Sequence, residues 1–462
     1  MDTEQDVPHD ALIPESRKRA TWGALVSRTL PKYSGPHPVG VCDVELPIPQ
    51  QTFGTFAHKN LPNAPIGITI DTVLFSLFYP CQFDRKYGRA LWFPHLPQTI
   101  NGFLRMASRD SWAYRTAAYP VAAALVRGTT LPALKDAPVI IPENGSRWPL
   151  IILSHGAGSS RLLYSAIAGE LASHGYIVAA VEHRDGTGPS SRITTPDGRS
   201  RKLDFLNWRD IYWPDHEVQP ADDTTLRHDQ LKVRLAELRA VQTALVSLST
   251  GAADFAPIVA ADPDLKAPAP SFDWTRWAHC LDAVRPIMCG HSFGGTAALA
   301  AAASSDFDFS RAVVMDPAVQ RLEPWGDRKI PCPLLVLASE EFFHDPDFVR
   351  TLSLAPSATS ATVLSIATKL LKSLAGTTHP SFSDVFLILP SWINRLAGLR
   401  TSPEYVRDVA VTCIREFARG DEAAVRRRGR ASDAGRKDQG QGGNEAEAGL
   451  GLGAPGAVEL HS

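Results

Sequence analysis

The sequence predicts an α/β fold with a mostly parallel central sheet flanked by helices, and three observations carry that prediction. "WPLIILSHG" (148–156), "SRLLYSAIAGELASHG" (160–175) and "YIVAAVEHRD" (176–185) read in order as buried strand, helix and buried strand, with Gly175 a natural helix stop. The apolar run "RPIMCG" (285–290) passes within a few residues into an alanine-rich helical run after Ser292. Two more short apolar runs, "RAVVMD" (311–316) and "PCPLLVLAS" (331–339), follow it. Alternation of this kind argues for parallel strands covered on both faces.

The other segments fit around that frame. Residues 1–34 are mostly polar and carry no sustained period, so a flexible arm is expected there, with order beginning near "GPHPVGVCDVELP". One globular domain is expected over 35–418. From Asp71, "DTVLFSLFYPCQ" reads as an early strand. The stretch from Phe83 to about Pro120, rich in proline and tryptophan, reads as irregular covering structure. From about Asp185 to Thr225 the chain turns polar, as a long surface excursion would. In "RHDQLKVRLAELRAVQTALVSL", Leu231, Leu235, Leu238, Val241 and Leu245 recur at helical spacing. Residues 419–462 are Gly-, Ala- and charge-rich, and this tail is expected to be disordered, because it offers too little apolar surface to offset its ordering entropy. Its arginines Arg426, Arg427, Arg428 and Arg430 fit a solvated tail in preference to a nuclear or anionic-lipid address.

Composition narrows the function classes. The 462 residues are 44% hydrophobic and 21% charged, with a formal net charge of -2, which fits a globular protein without a nucleic-acid partner. The six cysteines lie far apart, without metal-site or disulfide-scaffold spacing, and read as reduced thiols. The start "MDTEQDVPHD" has neither the basic nor the apolar part of a secretory signal. No run approaches the roughly 18 apolar residues of a membrane span. The expectation is a cytoplasmic protein, soluble or peripherally attached to membranes; its oligomeric state is not legible.

The chemistry starts at Gly290-His291-Ser292-Phe293-Gly294. This fits G-x-S-x-G with a strand before it and a helix after it, the setting of a nucleophile elbow in α/β-hydrolases. Gly290 and Gly294 let neighbouring backbone pass, and Ser292 is the candidate nucleophile. A serine hydroxyl needs a base. Three histidines follow it, His344, His379 and His461; His379, in the loop "AGTTHPSFSD" beyond the last strand, is preferred. The acid stays open between Asp316, which ends "AVVMD", and Asp345, Asp347, Glu340 or Glu341 after the next strand, with Asp316 preferred because it directly terminates an apolar run. Two backbone N–H groups are needed for an oxyanion, and Phe293 and Ala157, the latter in "SHGAGSS", are the candidates. The set calls for no metal and no cofactor.

With these blocks in view, "PLIILSHGAGSSRLLYSAIAGELASHGYIVAAVEHRD", "CGHSFGGTAAL", "VVMD", "LASEEFF" and "GTTHPSFSD" together resemble the plasma and intracellular type II platelet-activating factor acetylhydrolases, or group VII phospholipases A2. The resemblance runs from about Gly35 to about Ala397. It implies a calcium-independent serine esterase of α/β-hydrolase fold acting on short or oxidised sn-2 acyl chains of glycerophospholipids. It also implies Ser292, Asp316 and His379 as the triad, with Ala157 and Phe293 as oxyanion donors. The chain departs from the family in two places. Ala157 stands where a leucine is common, and "PAVQRLEPW" lacks the usual tryptophan-rich stretch after the acid.

Other readings are a general carboxylesterase, a cutinase-like polyesterase, or a non-catalytic scaffold of the same fold. The substrate is expected to be a phospholipid or another ester. In "DVFLILPSWINRLAGL", Phe386, Leu387, Trp392 and Ile393 read either as an interfacial segment or as a core helix, and so does the stretch from Trp112 to Leu125.

Overall fold

The computed structural model describes residues 23–61, 63–109, 111–195, 199–252, 255–258, 272–322, 328–354 and 376–421. The expected arm up to residue 22 and the expected tail from residue 422 lie outside the described residues. Among the described residues, the main sheet has strands β1 (Val39–Phe53), β2 (Ile68–Pro80), β3 (Arg89–Leu91), β4 (Thr130–Lys135), β5 (Trp148–Ser154), β6 (Ile177–Glu182), β7 (Leu281–His291), β8 (Arg311–Met315) and β9 (Leu334–Leu337). Their order across the sheet is β9-β8-β7-β5-β6-β2-β1-β4-β3. From β9 to β6 every neighbouring pair is parallel. Strand β2 runs antiparallel to both β6 and β1.

Six helices matter to the site: α1 (Leu96–Met106), α2 (Trp112–Val126), α3 (Ser165–Ser173), α4 (Thr224–Thr250), α5 (Phe293–Ala302) and α6 (Pro403–Ala418). Successive strand side chains point to opposite faces, and here both faces are covered. In β5, Leu150 and Ile152 join one core while Ile151 and Leu153 join the other. In β6, Ile177, Ala179 and Val181 part in the same way from Val178 and Ala180. The first core takes Leu238, Val241 and Leu245 from α4 and Ala297, Ala298 and Leu299 from α5. The second takes Ala166, Ile167 and Leu171 from α3 and Val406, Ala410 and Ile414 from α6. Continuous apolar runs are thus what strands buried on both sides require.

Three expectations need correction. Ordered packing starts before Gly35, because Ala24 and Leu30 are buried and the Leu30 N–H donates to the Thr130 carbonyl at 3.0 Å. The apolar residues here, Ala24, Leu25, Val26 and Leu30, are too few to show a period. The segment from Phe83 to Pro120 is not irregular: it holds β3, α1 and the first part of α2. Its prolines suggested a break, yet Pro97 sits in the first turn of α1, where a missing N–H costs nothing. The polar stretch from Asp185 to Thr225 is partly internal. Asp185 and Thr187 are fully buried, and Ser190–Thr194 pairs antiparallel with Ser200–Asp204.

No helix among the described residues is long and apolar enough to cross a membrane. The six cysteines are buried, and none forms a disulfide. The face between α4 and the sheet should carry much of the stability, so Leu245→Ala is expected to destabilise the protein by about 2–5 kcal/mol. Urea denaturation should show this as a lowered midpoint at an unchanged slope.

Candidate active site

Ser292 sits between the last residue of β7 and the first of α5, with φ 55° and ψ −125°. A non-glycine residue held at positive φ stores about 1–3 kcal/mol of strain, and the surroundings enforce it. The Ser292 N–H donates to the Met315 carbonyl at 2.9 Å, and the Ser292 carbonyl accepts the Thr296 N–H at 3.1 Å. The flanking glycines have a direct steric cause. A Cβ on Gly290 would fall on the Gly294 carbonyl oxygen, and one on Gly294 would fall on the Ser154 carbonyl oxygen.

That close crossing brings the end of β5 to the serine. A Cβ on Gly156 would lie 2.9 Å from the Ser292 Cβ, so the loop His155–Gly158 runs directly past it. In this loop the Gly156 N–H donates to the Tyr164 hydroxyl at 3.2 Å, and the Gly158 N–H donates to the Thr187 carbonyl at 2.8 Å. Ala157, between them, is exposed at the apex. Phe293 is buried and opens α5, where the first N–H groups of a helix have no acceptor inside it.

Asp316 follows β8 at φ 42° and is buried. Its Oδ2 lies 3.3 Å from His379 Nδ1 and accepts the Ser339 hydroxyl at 2.6 Å, while Oδ1 accepts the Ser339 N–H at 2.7 Å. Burial raises its pKa above the usual carboxylate range, opposed by the His379 and Ser339 bonds. Among the described residues, Asp316 is thus the carboxylate that meets the His379 ring. The other acids left open by the sequence do different work. Glu341 accepts the His379 backbone N–H at 2.7 Å, and Glu340 accepts the N–H of Gly376. Asp345 caps the short helix Pro346–Ser353, and Asp347 accepts the Gln320 N–H at 3.2 Å.

The residue before the serine ties the loops together. His291 is buried; its Nε2 donates to the His379 carbonyl at 3.0 Å, and its Nδ1 accepts the Tyr164 hydroxyl at 2.6 Å. Burial, with the His379 ring close by, pushes its pKa well below the ordinary value, so it stays neutral. His291, Asp316 and His379 offer ligand atoms within 4.8 Å of one another. With both His291 nitrogens bonded inside the protein, the three fit an internal polar network better than a metal site.

Sequence reasoning missed Tyr164, Ser339 and the bracing role of His291. No local pattern marks the first two, since each acts across a long gap in the chain. The apolar residues beyond His379 divide. Phe386 and Leu387 are 4% exposed and belong to the interior, which corrects their interfacial reading, because the short helix Val385–Ile388 turns them inward. Ile393 is half-buried, and Trp392 is 57% exposed.

Asp384, a little beyond His379, anchors this loop to α3: the Ala166 N–H donates to both its carboxylate oxygens at 3.1 Å. Burial pushes its pKa up to about 7 despite that bond. The raised value means that Asp384 contributes stability when protonated, below its unfolded pKa, and loses it as pH rises through about 7. Asp384→Asn should therefore gain stability relative to the wild type between pH 5 and 8. Denaturant melts across that range check it, and a difference that does not change with pH counts against the buried carboxyl.

Comparison with known proteins places this geometry in a family. The family model described as "Platelet-activating factor acetylhydrolase, isoform II" matches residues 23–419. A platelet-activating factor acetylhydrolase of Cavia porcellus is 29% identical over 314 residues, covering 68% of this chain and 61% of that protein, less than two thirds of its length. One from Gallus gallus is 25% identical over 387 residues, covering 82% of this chain and 79% of that protein. A putative phospholipase A2 of Schizosaccharomyces pombe is 28% identical over 232 residues, covering 47% of each. Among solved structures, a ferulic acid esterase from Streptomyces cinnamoneus is similar with TM-score 0.48 and 18% identity, over 83% of this chain and 91% of that one.

Proposed function

The chain belongs to the platelet-activating factor acetylhydrolase, isoform II, family, and from that premise we propose that it is a calcium-independent serine esterase. Its substrates are glycerophospholipids of the platelet-activating factor type, from which it removes the sn-2 acetyl or a short or oxidised acyl group. The observation that carries the reading is the 3.3 Å contact of Asp316 Oδ2 with His379 Nδ1, together with a serine held at positive φ whose N–H bonds the carbonyl of Met315, the residue before Asp316. Relatives described as platelet-activating factor acetylhydrolases and as a putative phospholipase A2 support the substrate class.

In this mechanism His379 takes the proton from Ser292 Oγ as the oxygen attacks the ester carbonyl. Asp316 holds the imidazole tautomer and stabilises the imidazolium. The Phe293 and Ala157 N–H groups bind the oxyanion; a lost donor of this kind typically costs about 100- to 1,000-fold in rate. His379 then gives its proton to the departing lysophospholipid oxygen. Water, deprotonated by His379, attacks the acyl-serine and releases the carboxylic acid and free Ser292. The reacting groups lie within residues 35–418, the proposed catalytic domain. The proposed setting is cytoplasmic.

A lipid-handling enzyme needs an apolar face, and α2 supplies a candidate. None of its residues is buried, and Trp112 is 78% exposed. With exposed Trp392, it is the proposed peripheral membrane contact. In liposome sedimentation Trp112→Ala and Trp392→Ala should each weaken binding, and unchanged partitioning of both would remove the membrane role.

The reaction itself is tested by Ser292→Ala, which should lower ester hydrolysis by roughly 10,000-fold or more. A fluorophosphonate probe should label Ser292 in the wild type. A panel of short-chain phosphatidylcholine, p-nitrophenyl acetate and a polyester film decides the substrate class: preference for the last two would replace the phospholipid reading with a general esterase or polyesterase.

A further inference from the structure

Beneath the site lies a buried ion pair that the mechanism does not use. Arg234, midway along α4, and Asp185, just past β6, have fully buried side chains and bond Nε to Oδ2 at 2.7 Å. Desolvating two ions offsets much of their attraction, so such a pair is weak evidence of a purely stabilising role. The remaining donors of the guanidinium reach toward the site. Nη1 donates to the His155 carbonyl at 2.6 Å, and Nη2 donates to Thr187 Oγ1 at 2.8 Å. The Thr187 carbonyl in turn accepts the Gly158 N–H at 2.8 Å. Ala157 is thereby held through the residues on both sides of it. The same guanidinium lies over the Phe293 ring, 4.5 Å from its centroid.

We propose that Arg234 is a positioning residue for the oxyanion hole: one planar cation, fixed by Asp185, sets the direction of both the Ala157 and the Phe293 N–H groups. The proposal rests on the reading of Ser292, His379 and these two donors as the active site. The loop needs such a brace. Gly156 and Gly158 flank Ala157, and Gly158 sits at φ 69°, so the loop backbone has freedom that other residues lack. Oxyanion donors work only when preorganised. Arginine suits the task because its donors diverge in a rigid plane toward three acceptors, Asp185 Oδ2, His155 O and Thr187 Oγ1. A lysine ammonium keeps the charge but presents its donors from a single point.

The test uses the full-length protein with Arg234→Lys, Thr187→Val and Ser292→Ala in parallel. The readouts are steady-state kinetics on a soluble acetyl ester and inhibition by a trifluoromethyl ketone, whose adduct with Ser292 places an oxyanion in the hole. Arg234→Lys should lower kcat by about 10-fold or more, with KM within about 3-fold. Its ketone affinity should fall in step with kcat/KM, as for an interaction made only in the transition state. Thr187→Val removes one arm, together with the bond of the Thr187 hydroxyl to Asp185 Oδ1 at 2.6 Å, and leaves the Arg234–Asp185 pair in place, so it should show a smaller loss of the same pattern, and it decides the matter where Arg234→Lys does not fold. A folded variant with kcat and ketone affinity within about 2-fold of wild type overturns the brace, as does a kcat loss that leaves ketone affinity intact. Hydrolysis surviving Ser292→Ala would instead overturn the underlying active-site reading.

Discussion

Helix α5 can begin against the sheet only because two glycines leave no Cβ where three backbone segments cross. Gly290 meets the Gly294 carbonyl, and Gly294 meets the Ser154 carbonyl, each inside the radius that a side chain would need. The crossing fixes three things at once. It forces Ser292 to positive φ, it lays the loop after β5 beside Ser292, and it sets the free N–H end of α5 at the same point. The proposed nucleophile, Ser292, and the proposed oxyanion donors, Phe293 and Ala157, are therefore placed by backbone geometry, with little left to the reach of flexible side chains.

Two polar systems hold the loops that this crossing brings together. On one side His291 bonds both the His379 carbonyl and Tyr164, whose hydroxyl accepts the Gly156 N–H. This chain of bonds joins the loop of His379, the proposed base, to the loop of Ala157, a proposed oxyanion donor, through the residue before Ser292. Its neutrality matters to the chemistry. A charged His291 ring, its centroid 4.7 Å from that of His379, would oppose the imidazolium of the proposed mechanism, and burial keeps that charge away. On the other side, Ser339 donates two bonds to Asp316, so the carboxylate can face His379 without rotating away. Each system is internal and satisfied, the condition under which buried polar groups rigidify a site rather than weaken it.

What the sequence disclosed follows the range of the interactions. The elbow is local, so its glycine spacing could be read directly, and His379 stood out because few histidines follow Ser292. The acid stayed open until the family resemblance favoured Asp316, since a strand end alone does not tell which carboxylate turns toward a distant loop. Tyr164, Ser339 and Arg234 act across long gaps and left no pattern. The stretch after Asp185 was misread for a different reason: polar composition was taken as exposure, although Asp185 and Thr187 are buried against Arg234. The same logic separates Phe386 and Leu387 from Trp392, because apolar residues on one short segment are divided between interior and surface by the way its helices turn.

On the proposed reading, reaction type and substrate choice rest on different parts of the molecule. The proposed nucleophile and acid, Ser292 and Asp316, directly follow strand ends in the double-faced core, where packing allows little adjustment. Helix α1 ends beside the Ala157 loop: the sulfur of Met106 lies 3.4 Å from where a Cβ on Gly158 would stand. Helix α2 follows within a few residues and buries none of its own side chains, so it gains little from packing against the protein. Its exposed Trp112 and Val121 recover hydrophobic free energy only against another apolar phase. Under the proposed function, the chemistry is set where β7, α5 and the loop after β5 cross, and the preferred ester can change through Ala157 and the end of α1 beside it while the groups around Ser292 stay the same.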